Sequence, residues 1–413
     1  MSEFKAFSLL TSIIERLNLK GYIQPTPIQK ACIPLLINGN DLLGIAQTGT
    51  GKTAAFSLPI INNFGQNKTE INAKSTRSLI LTPTRELASQ IMQNIDDYAN
   101  GLGLKTQVVY GGVGRQGQVD AIALGLDILV ATPGRLLDLI ETGDINFKSL
   151  EVFVLDEADT MLDMGFFNDV QNIIAKLPKR RQTLLFSATM PAEIEVLAQA
   201  ILTDPKKVQI TAETVTADLV NQRVYHLEKS DKVPLLLNIL QTPDYKKVLI
   251  FCKTKYGADI IANALEKVSI PAASLHSGKT QAVREKALQN FKDSTLRVLV
   301  ATDVAARGID VDNISLVINY NLPEDPRNYI HRIGRTARAG KSGMAMSFAV
   351  ENDVRQLTTI ENSIGQAIPV VIEQPFHKEF SKAALQVKKP VKKQGKKPVK
   401  QKGKNTNNRA RKK

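Results

Sequence analysis

A chain of 413 residues is too long for one ordinary hydrophobic core and points to two domains. Its 43 % apolar content suits a globular protein, no apolar run approaches a membrane span, and the amino terminus lacks an apolar export core, so the expected location is the cytoplasm. The net charge of +14 is uneven: residues 388–413 hold 13 Lys/Arg and no Asp/Glu, which leaves a nearly neutral body and a basic tail.

Cys32 and Cys252 lie in apolar patterns without metal-ligand spacing and read as buried free thiols of a reducing compartment. Residues 46–53 read Ala-Gln-Thr-Gly-Thr-Gly-Lys-Thr. Gly49 and Gly51 let the backbone turn its N–H groups toward phosphate oxygens. Lys52 brings a cation to the β- and γ-phosphates, and Thr53 offers a hydroxyl to Mg²⁺. Residues 53–58 look helical, so the phosphates of a nucleotide would rest on a helix N-terminus. The strict phosphate-loop pattern is broken at its first position, Ala46.

Short apolar runs follow, each ending in a distinctive polar group. Residues 78–81 run into Pro83-Thr84-Arg85-Glu86-Leu87-Ala88, and residues 127–130 into Thr132-Pro133-Gly134-Arg135. Residues 151–155 run into Asp156-Glu157-Ala158-Asp159, and residues 183–186 into Ser187-Ala188-Thr189. A Gly-Lys-Thr alone also fits an ordinary loop, and an acidic cluster alone fits a solvated turn. Together, each after an apolar run, they define a Mg²⁺–nucleotide site. Asp156 at a strand end can hold the metal directly or through water, and Glu157 is placed to orient or deprotonate the attacking water.

The second half repeats the arrangement. Residues 248–252 run into Lys253-Thr254, and residues 297–300 into Thr302-Asp303-Val304-Ala305-Ala306-Arg307-Gly308. Apolar strands alternating with helical stretches predict parallel sheets covered on both faces, with ligands at the carboxyl ends of the strands. The expected organisation is residues 1–34 leading into a first domain over 35–207, a linker over 208–220, a second domain over 221–376 and a basic disordered tail over 377–413. This second half has no phosphate cradle, but His331-Arg332-Ile333-Gly334-Arg335-Thr336-Ala337-Arg338 concentrates three arginines. That run also fits a solvated basic helix face. If the two sheets share a cleft, Arg335 and Arg338 reach the γ-phosphate held by the first domain.

These motifs, in this order over residues 4–350, resemble a DEAD-box ATP-dependent RNA helicase. The resemblance implies an α/β fold of two tandem RecA-like parallel-sheet domains facing a shared cleft. Gly21-Tyr22-Ile23-Gln24-Pro25-Thr26-Pro27-Ile28-Gln29 looks like the family's adenine-reading motif, and Phe4 matches its isolated upstream aromatic. By resemblance, Gln29 bonds the adenine edge, Phe4 or Tyr22 packs on the base, and Ala46, Gln47, Thr48, Gly49, Thr50, Gly51, Lys52 and Thr53 bind ATP. Asp156 and Thr53 would hold Mg²⁺, Glu157 would activate water, and Asp303 or Asp310 would touch the ribose or nucleotide. Asp159, Ser187, Thr189 and His331 would couple the ATP state to duplex separation, with Arg335 and Arg338 as arginine fingers. Pro83, Thr84, Arg85, Gly112, Thr132 and Arg135 would line the RNA path in domain one, and Thr254, Gly278, Gln281, Arg284 and Thr302 in domain two. Ala337 departs from the glycine of many members. Gly111-Gly112-Val113-Gly114-Arg115-Gln116 and Leu162-Asp163-Met164-Gly165-Phe166 look like the bacterial RhlE-type subgroup.

The implied activity is RNA-stimulated ATP hydrolysis coupled to local, non-processive duplex unwinding or RNP remodelling by a monomer. Backbone contacts imply weak sequence preference. The tail reads either as an electrostatic arm that tethers RNA or as a solubilising end. A duplex-DNA helicase and an annealing clamp that uses hydrolysis as a timer are the alternatives.

Overall fold

The computed structural model describes residues 3–47, 49–210, 220–241, 244–307, 311, 314–336 and 343–380. Its first sheet contains β1 (Leu42–Ile45), β2 (Thr76–Leu81), β3 (Thr106–Val109), β4 (Leu126–Ala131), β5 (Val152–Leu155), β6 (Gln182–Ser187) and β7 (Lys206–Gln209). They lie in the order β3-β4-β2-β5-β6-β1-β7, every pair parallel. The second sheet contains β8 (Val220–His226), β9 (Val248–Phe251), β10 (Ala272–Leu275), β11 (Val298–Ala301), β12 (Leu316–Asn319) and β13 (Gly343–Ala349), in the parallel order β10-β11-β9-β12-β13-β8. The chain thus folds into the expected pair of RecA-like domains.

Both faces of a parallel sheet are covered by crossover helices, so its central strands are apolar throughout. β2, β4 and β5 are buried at every position. Alternate residues serve opposite cores. Ile80, Val130, Val154 and Phe186 pack with the helices Thr11–Leu19, Pro27–Ile37, Lys52–Gln66 and Arg85–Ala99. Leu79, Leu129, Phe153 and Leu185 pack on the other face with the helices Pro133–Glu141, Phe167–Ile174 and Ala192–Ile201. The register aligns Ile45 with Ser187 and Leu81 with Leu155, so the loops that follow β1, β2, β5 and β6 emerge side by side. Both cysteines are buried free thiols, and burial pushes the Cys32 thiol up to about 12.

Three boundaries differ from the sequence expectation. Residues 1–34, expected to lead into domain one, contribute Phe4, Ile13, Leu17, Ile28 and Ile33 to its core, so the domain begins before residue 35. Domain one runs past residue 207, because β7 pairs with β1 and the Ile210 amide donates to Ile45. β7 reads Lys-Lys-Val-Gln, an exposed edge with no apolar run to announce it. Domain two extends to Phe380, which is buried and stacks on His226 at 4.0 Å. Among the described residues, no helix is long and apolar enough to cross a membrane.

Candidate nucleotide site and nucleic-acid groove

The loop after β1 delivers Gly51 to the N-cap of the helix Lys52–Gln66 at φ 93°, and Gly49 turns at φ 89°. Gln29 fastens this loop. Its Nε2 donates to the Gly51 carbonyl at 3.1 Å, and its Oε1 accepts from the Thr26 amide at 3.0 Å within a capping box. These two bonds fix which end of the amide faces the loop. Lys52 is buried and donates to the Ala46 carbonyl at 3.0 Å, while Thr50 donates to the Gln47 carbonyl at 2.8 Å. Gly49, Gly51, Lys52, Thr53, Tyr22, Gln29, Asp156 and Glu157 line one cavity of about 670 Å³. Phe4 is not in that lining. It is fully buried, edge-on to Phe7, and its neighbour Glu3 donates from its amide to Ile23, so it braces the loop bearing Tyr22. An aromatic ring sealed in a core cannot also stack on a base, so the expected base contact falls to Tyr22, which is 38 % exposed.

Asp156 leaves β5 at the carboxyl end, and its Oδ1 accepts from the Glu157 amide at 3.0 Å. Burial pushes the Asp156 carboxyl up to about 6; Lys52 opposes the rise and Glu157 adds to it. Glu157 itself sits in the left-handed region at φ 54°, rare for a side chain of its size and a common mark of functional strain. Asp159 opens the helix Ala158–Asp163 and joins it to the loop after β6. Its Oδ2 accepts from both the amide and the hydroxyl of Thr189 at 2.8 Å, and its amide donates to the Ser187 hydroxyl at 3.2 Å. Ser187 in turn donates to the Thr189 carbonyl at 2.7 Å. The expected contact between Asp159 and the Ser187–Thr189 segment is therefore a closed hydrogen-bonded ring.

Domain two faces this ring. Gln47, Glu157, Asp159 and Thr189 share a cleft of about 220 Å³ with Arg307, Arg327, His331 and Arg335. His331 and Arg335 come from the helix Pro326–Ile333 and the turn after it. Burial pushes the His331 imidazole down, and the guanidinium groups of Arg335 and Arg307 act with burial against the Asp159 carboxylate. Arg332 points the other way. It grips Asp303 with two bonds of 2.6 and 2.7 Å and donates to Asn319 and Asn321. Asp303 is thus committed to Arg332 and does not line either nucleotide-side cavity. Asp310, Thr48, Ala337, Arg338 and the tail from residue 381 lie outside the described residues.

A second groove of about 310 Å³ runs between the domains, lined by Pro83, Thr84, Arg85, Thr132 and Arg135 on one side and Ser277, Arg284 and Val304 on the other. Gly112 abuts it, since a Cβ there would stand 2.0 Å from the Arg85 guanidinium. Thr254, Gly278, Gln281 and Thr302 are outside its lining. Thr84 and Thr254 are helix N-caps that accept from Leu87 and Gly257 at 3.2 and 3.0 Å, and Gly278 donates its amide to His276. Gln281 donates to Glu285 at 2.9 Å. Arg284, expected on RNA, lines the groove and pairs with Glu86 across it at 2.6 Å, both side chains under 10 % exposed. Burial raises the Glu86 carboxyl against the pull of Arg284. Glu86, Asp163, Arg307, Arg327 and Arg332 were assigned no role from sequence: Glu86, Asp163, Arg307 and Arg332 meet partners far away in the chain, and Arg327 holds its neighbour Asp325 as well as the distant Asp163.

Comparison with known proteins agrees with this geometry. The DEAD/DEAH box helicase family matches residues 26–197, and the helicase conserved C-terminal domain matches residues 231–340. The chain is 42 % identical over 371 residues to the ATP-dependent RNA helicase DeaD of Buchnera aphidicola subsp. Acyrthosiphon pisum, covering 90 % of this chain and 61 % of that protein. It is 40 % identical over 359 residues to the ATP-dependent RNA helicase CshA of Limosilactobacillus reuteri, covering 87 % of this chain and 71 % of the relative. Both are DeaD or CshA proteins, so the RhlE-type expectation stays with the two short stretches that suggested it. The chain therefore spans less than two thirds of the DeaD relative's length. Among solved structures, S. cerevisiae Dbp5 bound to RNA and ADP BeF3 is similar at a TM-score of 0.78 and 29 % identity, over 90 % of this chain and 96 % of that one. The chain belongs to the DEAD-box helicase family.

Proposed function

We propose that this chain is an ATP-dependent RNA helicase that hydrolyses ATP when RNA holds its two domains together, and that it separates short duplexes locally. One observation carries the reading. The Glu157 and Asp159 end of domain one shares a single cleft with His331 and Arg335 of domain two. A nucleotide held by the first domain alone lacks the arginine that stabilises transition-state charge, an omission worth roughly three to five orders of magnitude in rate.

The residues divide the work. The 46–53 loop and Lys52 hold the phosphates, with Lys52 exchanging the Ala46 carbonyl for phosphate oxygen. Gln29 and Tyr22 read and cover the base, Glu157 orients the attacking water, and Arg335 with Arg338 stabilises the developing charge. The buried Asp156 beside Glu157, with a carboxyl raised by burial, suits a divalent ion that would relieve both effects. Among the described residues no group of three acidic, His or Cys side chains gathers around one point. Mg²⁺, which keeps water and phosphate oxygens in its shell, would be held here by Asp156 and Thr53. Bound there, Mg²⁺ supplies Lewis-acid neutralisation of phosphate charge.

The RNA contacts follow from helix ends. Thr84 and Thr132 head helices after β2 and β4, and Thr254 and Thr302 head helices after the neighbouring strands β9 and β11. N-terminal amides attract phosphate oxygens whatever the base, so the strand is read by its backbone. The Asp159–Ser187–Thr189 ring carries the nucleotide state toward that strand. The two buried free thiols suit a reducing cytoplasm.

Release of one strand of a short RNA duplex tests the reading. ATP should drive separation and ADP should not, and RNA should outperform DNA of the same sequence in stimulating turnover. Separation that ignores nucleotide, or ATP-independent annealing alone, favours the clamp instead; equal stimulation by DNA favours the duplex-DNA alternative.

A further inference from the structure

Asp163 closes the six-residue helix whose other end carries Asp159, and Glu157 is that helix's N-cap. An acidic side chain at a helix C-terminus faces the negative end of the dipole, an unfavourable placement when nothing offsets it. No basic residue occupies that last turn. The offset comes from the other domain. Asp163 Oδ2 accepts from Arg307 Nη2 at 3.4 Å, and its Oδ1 lies 3.6 Å from Arg327 Nη2, which Asp325 holds in place by accepting from it at 2.6 Å. Its side chain is 20 % exposed, and that of Arg307 16 %.

We propose that Asp163 is a positioning residue which aligns the arginine-bearing helix of domain two over the nucleotide on closure. The inference rests on the helicase reading above. Arg327 begins the helix Pro326–Ile333, and Arg307 donates to Asn328 in that helix's first turn at 3.0 Å. Arg332 on the same helix is locked to Asp303. The two elements therefore present one rigid face, and Asp163 is its anchor on domain one. From Arg327 to Arg335 spans about 12 Å at helical rise. A tilt of roughly 10° about the anchored end moves the far end by about 2 Å, beyond the ~0.5 Å that productive geometry tolerates. The helix Ala158–Asp163 thus works as a short bar, with Glu157 and Asp159 at one end and the domain-two anchor at the other. Asp163 touches no reacting atom; it acts through Arg307 and Arg327.

The bland alternative is a rim ion pair, which is worth little. A double-mutant cycle separates the two. Asp163→Asn should lower RNA-stimulated kcat by about five- to tenfold, and Arg327→Ala by a similar factor, with the double variant no worse than the weaker single one. ATP affinity without RNA, read by a fluorescent ATP analogue, should stay within about twofold, because the nucleotide cavity is intact. Fluorescence transfer between dyes on the two domains, with ATP analogue and RNA bound, should report a longer closed-state distance in Asp163→Asn. A responsive wild type with an Asp163→Asn variant of equal kcat and equal closed-state distance would overturn the inference alone, as would single effects that multiply. A wild type whose turnover ignores RNA would overturn the helicase reading and this inference with it.

Discussion

At Gly51 the backbone stands at φ 93°, and a Cβ would lie 2.5 Å from Gln29 Nε2. Gly49 shares the left-handed conformation, at φ 89°, but a Cβ there meets nothing within 4 Å. Gly49→Ala should therefore carry only the conformational cost, about 1–2 kcal/mol. Gly51→Ala should cost more, roughly 2–4 kcal/mol, because it also displaces the Gln29 bond. Urea unfolding measures both, and equal losses would argue against the Gln29 clasp. Glu157→Gln keeps the buried shape but cannot take a proton. It should bind ATP normally and lose about 10²–10⁴-fold in turnover; single-turnover hydrolysis checks it. The phosphate loop and the acidic tetrad were legible from sequence because their chemistry is contiguous. The pairings of Asp303 with Arg332 and of Arg284 with Glu86 were not, since each joins side chains distant in the sequence. The choice between Phe4 and Tyr22 needed the folded chain, because an aromatic near a binding motif serves equally well as core.

Among the elements, the join between the helix Ala158–Asp163 and the loop after β6 bears most on coupling. Thr189 gives Asp159 both an amide and a hydroxyl bond at 2.8 Å. Thr189→Val removes one charge-assisted bond and keeps the amide one, a loss of about 1.5–3 kcal/mol of linkage. ATP turnover should remain within a few-fold of wild type while strands separated per ATP fall by about tenfold. Parallel ATPase and strand-displacement assays read the split, and matched losses in both would place Thr189 in catalysis rather than coupling. Burial accounts for only part of strand legibility, since β12 is buried at every position yet was not read from the sequence. β2, β4, β5, β9 and β11 are buried throughout and stood out as apolar runs. The edge strands β3 and β7 did not, because an edge with one neighbour tolerates Thr, Gln and Lys.

The whole molecule repeats itself: β10-β11-β9-β12-β13-β8 follows the same connection pattern as β3-β4-β2-β5-β6-β1. The copies have diverged in chemistry. β1 leads into the glycine loop, whereas β8 leads into Leu227-Glu228-Lys229. In the proposed function one domain holds the nucleotide and the other brings arginine, and that asymmetry would make hydrolysis depend on closure. The shared cleft was legible in outline from the matching motifs at strand ends, but the pairs that tie it, Glu86–Arg284 and Asp163–Arg307, needed the folded chain. The basic tail should add an electrostatic tether. Engaging about five single-strand phosphates contributes a salt slope near −3.5 in log–log terms. A chain ending at residue 387 should bind RNA more weakly with a shallower slope and keep its basal ATPase; unchanged slopes would make the tail a solubilising end.

The most direct measurement of the central claim is ATP turnover with and without single-stranded RNA, in wild type and in Arg335→Ala. RNA should accelerate wild-type turnover, and Arg335→Ala should bind nucleotide with unchanged affinity yet lose roughly three orders of magnitude in rate. Undiminished, RNA-stimulated turnover by Arg335→Ala would contradict that claim.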